Sequence, residues 1–282
     1  MSKKEADFII ADAGGSGTQW KIVHDDTAKS LATTGFNPFT HDIEAFKTDS
    51  KEVLSDYLGS TIPVHFYAAG IQNAKQKSDV AKQLSEFFHD SIYVENDLLA
   101  VARSMCGRST GNVCILGTGA NATYYDGETN IDVSASLGFI LGDEGSGAYL
   151  GKKLLQAIYR KRLSKDIIDA FHDRYSESLD SILTKLHRGS KPNQYLASFA
   201  KFLNQLQTDP SIAQLIKEAF IDFYDAFFGD RKLNSNSFHF SGSIAWNFAS
   251  ILRKVWEEKG LKIEQIVQSP MEGLVAYHKQ YG

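Results

Sequence analysis

VCILGTGANATYY, residues 113–125, reads as a strand, a glycine turn and a second strand: Val113–Leu116 runs into Gly117-Thr118-Gly119, and Asn121–Tyr125 leads out. The same order stands about 105 residues earlier in FIIADAGGSGTQWKIV, residues 8–23, where Phe8–Ala11 enters Asp12-Ala13-Gly14-Gly15-Ser16-Gly17 and Thr18–Val23 leaves it. One glycine turn between strands is an ordinary hairpin. Two in equivalent places predict a duplicated domain whose two loops offer backbone amides to phosphate. A third glycine-rich stretch, LGFILGDEGSG at residues 137–147, follows the second turn and runs into a helix.

Outward from these turns, strand and helix signals alternate. Lys29–Thr34 reads as a third strand, Val64–Ala68 as a buried one ending at Gly70, and Ile92–Val94 as a short one. Val80, Leu84, Phe87 and Phe88 share one helical face, and Asp97 opens a helix running toward Met105. The polar, glycine-flanked GRSTG at residues 107–111 is the best domain boundary. Beyond it, helices are expected at Lys152–Arg162, around Leu196–Leu206 and around Leu215–Phe227, their aromatic stripes facing a core. Phe238–Ser241 is expected as a strand, Ile244–Lys259 as one helix closed by Gly260, and Leu261–Val267 as a last strand. Ser269-Pro270-Met271-Glu272 has the pattern of N-cap, proline at N1 and glutamate at N3.

The chain has 282 residues, 43% hydrophobic and 23% charged, enough to bury a core in one large domain or two ordinary ones. A net charge of −4 without a basic run of five leaves no electrostatic footprint for nucleic acid. No segment has transmembrane length, and the charged N-terminus does not read as a signal peptide. Cys106 and Cys114 have no zinc or redox spacing, so a reduced, cytoplasmic setting is expected.

Each candidate residue admits a plain reading and a chemical one. The Asp12–Gly17 loop is a tight hairpin of small residues, or a phosphate cradle whose Asp12 holds Mg²⁺ through a hard carboxylate oxygen. It lacks the Gly-Lys-Ser/Thr ending of a Walker loop. Asp97 is a helix N-cap, or a general base that takes a proton from an attacking hydroxyl. Asp143 and Glu144 favour a helix N-terminus, while the glycines around them suggest a backbone brought close to something. Asn37, in Gly-Phe-Asn-Pro-Phe, is a turn residue or a hydroxyl reader. The eight histidines show no metal-ligand spacing.

Together these pieces resemble the actin/hexokinase/Hsp70 superfamily, and within it the N-acetylglucosamine kinase branch with the BadF/BadG-type ATPases. The resemblance spans nearly the whole chain, and LGDEGSG at residues 141–147 is its most specific part. It implies an α/β protein of two ribonuclease-H-like lobes, the actin-like ATPase fold, around a central cleft. Residues 1–110 would form the first lobe with the helix of 270–282 packed back on it, and residues 111–269 the second. It implies an ATP-dependent carbohydrate kinase acting on a hydroxyl of N-acetylglucosamine or a related amino sugar. Asp97 would be catalytic and Asp12 the Mg²⁺ ligand. Gly14, Gly15, Ser16, Thr118 and Gly119 would bind the phosphates of ATP, with Gly242 and Ser243 under adenosine. Asn37, Asn121, Ser136, Gly138 and Asp143 would read the sugar. Partners would be the small-molecule sugar alone, without nucleic acid or membrane, homodimerisation being left open. Gly17 replaces the basic residue of the family's first phosphate loop, and Lys21 is one candidate to restore that charge. A sensor that binds sugar or nucleotide without turnover is the alternative, and an ATPase activator of a dehydratase a more distant one.

Overall fold

The computed structural model describes residues 6–36, 38, 43–89, 91–131, 135–229 and 231–282. In chain order the elements are β1 (Phe8–Ala13), β2 (Thr18–His24), β3 (Thr27–Thr33), α1 (Ile43–Val53), β4 (Val64–Ala68), α2 (Ala74–Leu84), β5 (Ile92–Asn96) and α3 (Asp97–Cys106). Then follow β6 (Gly111–Leu116), β7 (Ala120–Tyr125), β8 (Asn130–Ile131), α4 (Gly138–Leu141), α5 (Gly147–Tyr159), α6 (Lys165–Arg174), α7 (Leu179–Arg188), α8 (Pro192–Ser198) and α9 (Ala200–Gln205). The chain ends with α10 (Pro210–Phe228), β9 (Ser237–Ser241), α11 (Ser243–Asn247), α12 (Ala249–Glu258), β10 (Lys262–Val267) and α13 (Met271–Tyr281).

Two five-stranded sheets carry the fold, ordered β3-β2-β1-β4-β5 and β10-β9-β6-β7-β8. Read from β8, the second sheet runs β8-β7-β6-β9-β10, the order of the first. The duplication expected from the glycine turns is thus a duplication of sheet topology. In the first sheet β1, β2 and β3 pair antiparallel, and β1, β4 and β5 pair parallel. In the second, β6, β9 and β10 are parallel. The chain divides into two compact units: Met1–Ser109 with Tyr125–Asn130 and Ser269–Gly282, and Thr110–Tyr124 with Ile131–Gln268.

Period-two alternation along β1 decides what covers the first sheet. Ile9, Ala11 and Ala13 join the core that holds Trp20, Phe36, Phe46, Phe66 and Phe88. Ile10 faces the other way, with Tyr67, Ala100, Met271 and Leu274, under α3 and α13. Asp12, two residues beyond Ile10, therefore shares the α3 side of the sheet. In the second unit one core gathers the aromatic stripes of α8, α9 and α10 with Phe238, Phe240 and Trp256.

Three details depart from the sequence reading. Ile244–Lys259 is not one helix, because Phe248 leaves helical geometry (φ −111°, ψ 25°) and turns into the core, dividing α11 from α12. The last helix begins at Met271 with Pro270 as its N-cap, so no capping box forms. Glu272 instead pairs with Lys21 at 2.8 Å, and the Ser269 hydroxyl accepts the Met271 N–H at 3.4 Å. Finally, α1, α6 and α7 were not expected; α7 carries Leu179, Ile182, Leu183 and Leu186 at helical spacing, a signal the sequence reading passed over, and each of the three buries only one or two side chains among those described.

Candidate active site

In the first unit the carboxyl ends of three parallel strands lie level. Ala13 pairs with Ala68, and Ala68 with Asn96. Ligands of open α/β sheets collect outside this edge. Asp12 stands one residue inside it on β1, and Asp97 one residue beyond it on β5. The capping role that competed for Asp97 falls to its neighbour: Asn96 is the N-cap of α3 and its side chain accepts the Leu99 N–H at 2.8 Å. Asp97, at the first helical position, is left with a hydrogen bond from the adjacent Leu98 N–H at 2.9 Å.

Asp12 and Asp97 are both half-buried, and among the described residues no basic side chain pairs with either. Lys77 is tied to Glu95, and Lys21 to Glu272. Lys21 thus has Glu272 of α13 as its partner. Burial lifts the Asp12 carboxyl to about 6. Burial, reinforced by the negative charge of Asp12, lifts Asp97 to about 7. Two electrostatically coupled carboxylates without a basic partner among the described residues form a hard oxygen donor set, which fits a magnesium ion.

The turn after β1 is closed by the Gly14 N–H donating to the Gly17 carbonyl at 3.0 Å, and Ser16 is exposed at its tip. Gly35, which drew no functional reading from sequence, packs directly behind this turn. A Cβ there would stand 2.6 Å from the Gly14 carbonyl oxygen and 2.7 Å from that of Gly15. Asn37 lies outside the described residues.

In the second unit the same edge carries the second turn. Ile115 pairs with Ser241, and Ser241 with Val267. Beyond them the Gly117 N–H donates to the Gly119 carbonyl at 3.0 Å. The first amides of α5 reach the outer side of this turn: Gly147 N–H donates to the Gly117 carbonyl at 2.8 Å, and Ala148 N–H to that of Thr118 at 3.1 Å. The turn's carbonyls are thereby occupied, while a Cβ on Gly117 would meet nothing within 4 Å. Gly242 (φ 117°) presses against the same turn, its missing Cβ lying 2.3 Å from the Leu116 carbonyl oxygen and 3.2 Å from the Gly117 nitrogen. Thr118, Gly119 and Gly242 are thus brought together, with exposed Ser243 next in sequence.

The glycines around Asp143 have a structural explanation. A Cβ on Gly145 (φ 74°) would meet Phe223 at 2.8 Å, and one on Gly147 would meet Ala197 at 3.0 Å. What the backbone approaches there is the protein's own core. Asp143 itself has φ 59°, unusual outside glycine, and its carboxylate lies 3.0 Å from where a Gly119 Cβ would stand. It accepts a long hydrogen bond of 3.4 Å from the Ala120 N–H, and burial raises it to about 6. Asp143 is therefore joined to the second turn as well as to the glycine-rich segment. The Asn121 side chain accepts the Ala122 N–H at 2.9 Å. Ser136 is exposed, and Gly138 (φ 69°) opens α4 with open space at its Cβ position. The sequence also missed Asn96, whose capping role was indistinguishable from that of Asp97 because the two are adjacent.

No protein-family model matches the chain, and no curated protein matches it by sequence. Solved structures do. A protein from Porphyromonas gingivalis described as a "Putative N-acetylglucosamine Kinase" superposes with a TM-score of 0.88 at 32% identity, over 97% of this chain and 99% of that one. Another so described, from Chromobacterium violaceum, gives 0.71 at 15% identity over 96% and 98%. A ROK family glucokinase from Streptomyces griseus, solved with glucose and AMPPNP, gives 0.55 at 17% identity over 97% and 98%. The last two share the fold, whereas the first also shares sequence along nearly its entire length. With its duplicated five-stranded sheets and paired glycine turns, the chain belongs to the N-acetylglucosamine kinase family of the actin/hexokinase/Hsp70 superfamily.

Proposed function

We propose that the protein is an ATP-dependent sugar kinase that phosphorylates a hydroxyl of N-acetylglucosamine or a close amino sugar. The observation that carries the chemistry is the half-buried, unpaired Asp97 at the carboxyl edge of the first sheet, pushed up to about 7. A general base works best when its pKa lies near the working pH, and phosphoryl transfer asks little else of side chains beyond positioning and charge stabilisation.

In this reading Asp97 accepts the proton of the sugar hydroxyl as that oxygen attacks the γ-phosphorus. The P–O bond to the β-phosphate breaks, and ADP leaves. Amides of Gly14, Gly15, Gly119 and the hydroxyls of Ser16 and Thr118 bind phosphate oxygens. Asp12 would hold Mg²⁺, which when bound neutralises charge on the phosphates. Gly242 and Ser243 lie under the adenosine, and Asn37, Asn121, Ser136, Gly138 and Asp143 orient the sugar. Asp143 touching Gly119 links the sugar-reading segment to a phosphate turn, so sugar and nucleotide are expected to bind with positive coupling. The cysteines do not support a cluster-bearing activator: burial raises Cys106 to about 11 and Cys114 further, and both disfavour thiolate.

The test is Mg²⁺-ATP-dependent ADP release across N-acetylglucosamine, N-acetylmannosamine, glucosamine, N-acetylmuramic acid and glucose. Strong stimulation by an N-acetylated sugar supports the reading. ATP binding without stimulation by any sugar overturns it in favour of a sensor.

A further inference from the structure

The chain has three tryptophans, and two are core residues: Trp20 is 1% exposed and Trp256 not at all. Trp246 is 52% exposed. A side chain of this size is seldom so open to water without a partner for its ring. Its place is specific. Trp246 lies in the first turn of α11, and its N–H donates to the Gly242 carbonyl at 3.0 Å. Gly242 is the residue pressed against Leu116 and Gly117 at the root of the second phosphate turn.

Helix geometry sets where the ring lies. Every Cα–Cβ bond in a helix tilts toward the N-terminus, so a side chain covers the turn before its own Cα. By this rule the Trp246 indole is expected on the Gly242-Ser243 side of its own Cα. Ile244, Ala245 and Phe248 are buried around it in sequence and anchor α11 to the core, which makes the exposed ring a fixed platform. One helical turn, about 5.4 Å, separates it from the glycine that abuts the phosphate turn.

We propose that the Trp246 indole stacks on the adenine of bound ATP and supplies base affinity that the Gly242-Ser243 turn alone cannot give, an assignment that rests on the kinase reading above. A ring face and a purine face form a flat, desolvated contact, worth about tenfold or more in affinity when the aromatic is truncated. The Gly-Ser turn brings one hydroxyl and no ring, so discrimination between a nucleotide and a bare polyphosphate would reside in Trp246.

The experiment is a titration of tryptophan emission in parallel with calorimetry, using ATP and inorganic tripolyphosphate on the wild type, Trp246→Ala and Trp246→Phe. ATP is expected to quench the wild-type emission with the midpoint found by calorimetry, because the other two indoles are buried. Tripolyphosphate should bind without quenching. Trp246→Ala should bind ATP about tenfold or more weakly with tripolyphosphate affinity and melting temperature unchanged, and Trp246→Phe should recover part of the loss. Wild-type ATP binding by calorimetry without a change in emission, together with equal ATP affinity in Trp246→Ala, overturns the stacking role and leaves the kinase intact. No ATP binding by the wild type overturns the kinase reading and the stacking role with it.

Discussion

At the scale of single residues, the molecule invests stability in two carboxylates that repel each other. Asp12 and Asp97 are held up to about 6 and about 7, so each is costlier to ionise folded than unfolded. The sign follows from linkage: a carboxyl whose folded value is raised stabilises the fold while protonated, and this contribution disappears as pH rises through the folded value. Near neutrality the metal-free protein therefore carries a strained pair. Asp97→Asn should raise the melting temperature of the metal-free protein measured at pH 8, while lowering kcat by about 10²–10⁴-fold with ATP affinity nearly unchanged by calorimetry. Full turnover in this variant would remove Asp97 as the base. Mg²⁺ added without nucleotide should raise the melting temperature of the wild type, and this gain should shrink in Asp12→Asn. An equal gain in that variant would mean that the ion is held elsewhere.

At the scale of elements, two glycines that look alike in sequence play opposite parts. Gly35 is fixed by the protein, since its Cβ would collide with the carbonyls of Gly14 and Gly15. Gly117 has open space, so no intramolecular contact requires a glycine there. Gly35→Ala should lower the melting temperature and weaken ATP together, by displacing the first turn. Gly117→Ala should leave the melting temperature close to wild type and still raise the KM for ATP several-fold, because the added methyl occupies ligand space. If Gly117→Ala binds ATP normally, the second turn is structural only. Position along the chain could not separate these cases. The strand–turn–strand pairs around Asp12 and Gly117 were legible because β-strands of alternating or continuous apolar character stop abruptly at glycine. Sheet order was not legible there, because alternation within a strand says nothing of its neighbours, and the α3 side of Asp12 emerged only once Ile10 was seen packed with Ala100 and Leu274. What stayed hidden was tertiary: that Asn96 frees Asp97 from capping, that Gly145 makes room for Phe223, and that Lys21 is drawn to Glu272 on the last helix of the chain. None of these leaves a local pattern, since each depends on a partner distant in sequence or on which of two adjacent polar residues caps a helix.

At the scale of the molecule, the first unit is completed only by the last segment of the chain. α13 docks beside α3, placing Met271 and Leu274 in a core with Ile10 and Tyr67. The seam is made of neutral aromatic groups. His278 stacks on His65 with ring centroids 3.8 Å apart, and its Nε2 meets the Tyr67 hydroxyl at 2.8 Å. Arg103 of α3 donates to that hydroxyl at 2.9 Å. Tyr93 stacks on the far side of His65 at 5.1 Å, with Phe8 and Tyr277 at the edges of the stack. Arg103 within this group is a cation and opposes a second positive charge on either histidine. Burial, then Arg103, lowers His65 to about 4. Burial, then His65 and Arg103, lowers His278 to about 3. Folded values below the unfolded 6.5 mean that the unfolded chain takes up protons first, so stability is complete above pH 6.5 and falls as pH drops toward 4. Each histidine contributes up to about 1.4 kcal/mol per pH unit within its window. Urea midpoints followed from pH 7 to pH 4.5 should therefore decline, and His278→Gln, which keeps a polar partner for Tyr67, should make the decline about half as steep. The carboxylates of Asp12 and Asp97 work in the opposite direction but are common to both proteins, so the difference between the two slopes isolates the seam. Parallel slopes would show that the histidines are already solvated in the folded protein, and that α13 is held by its apolar contacts alone.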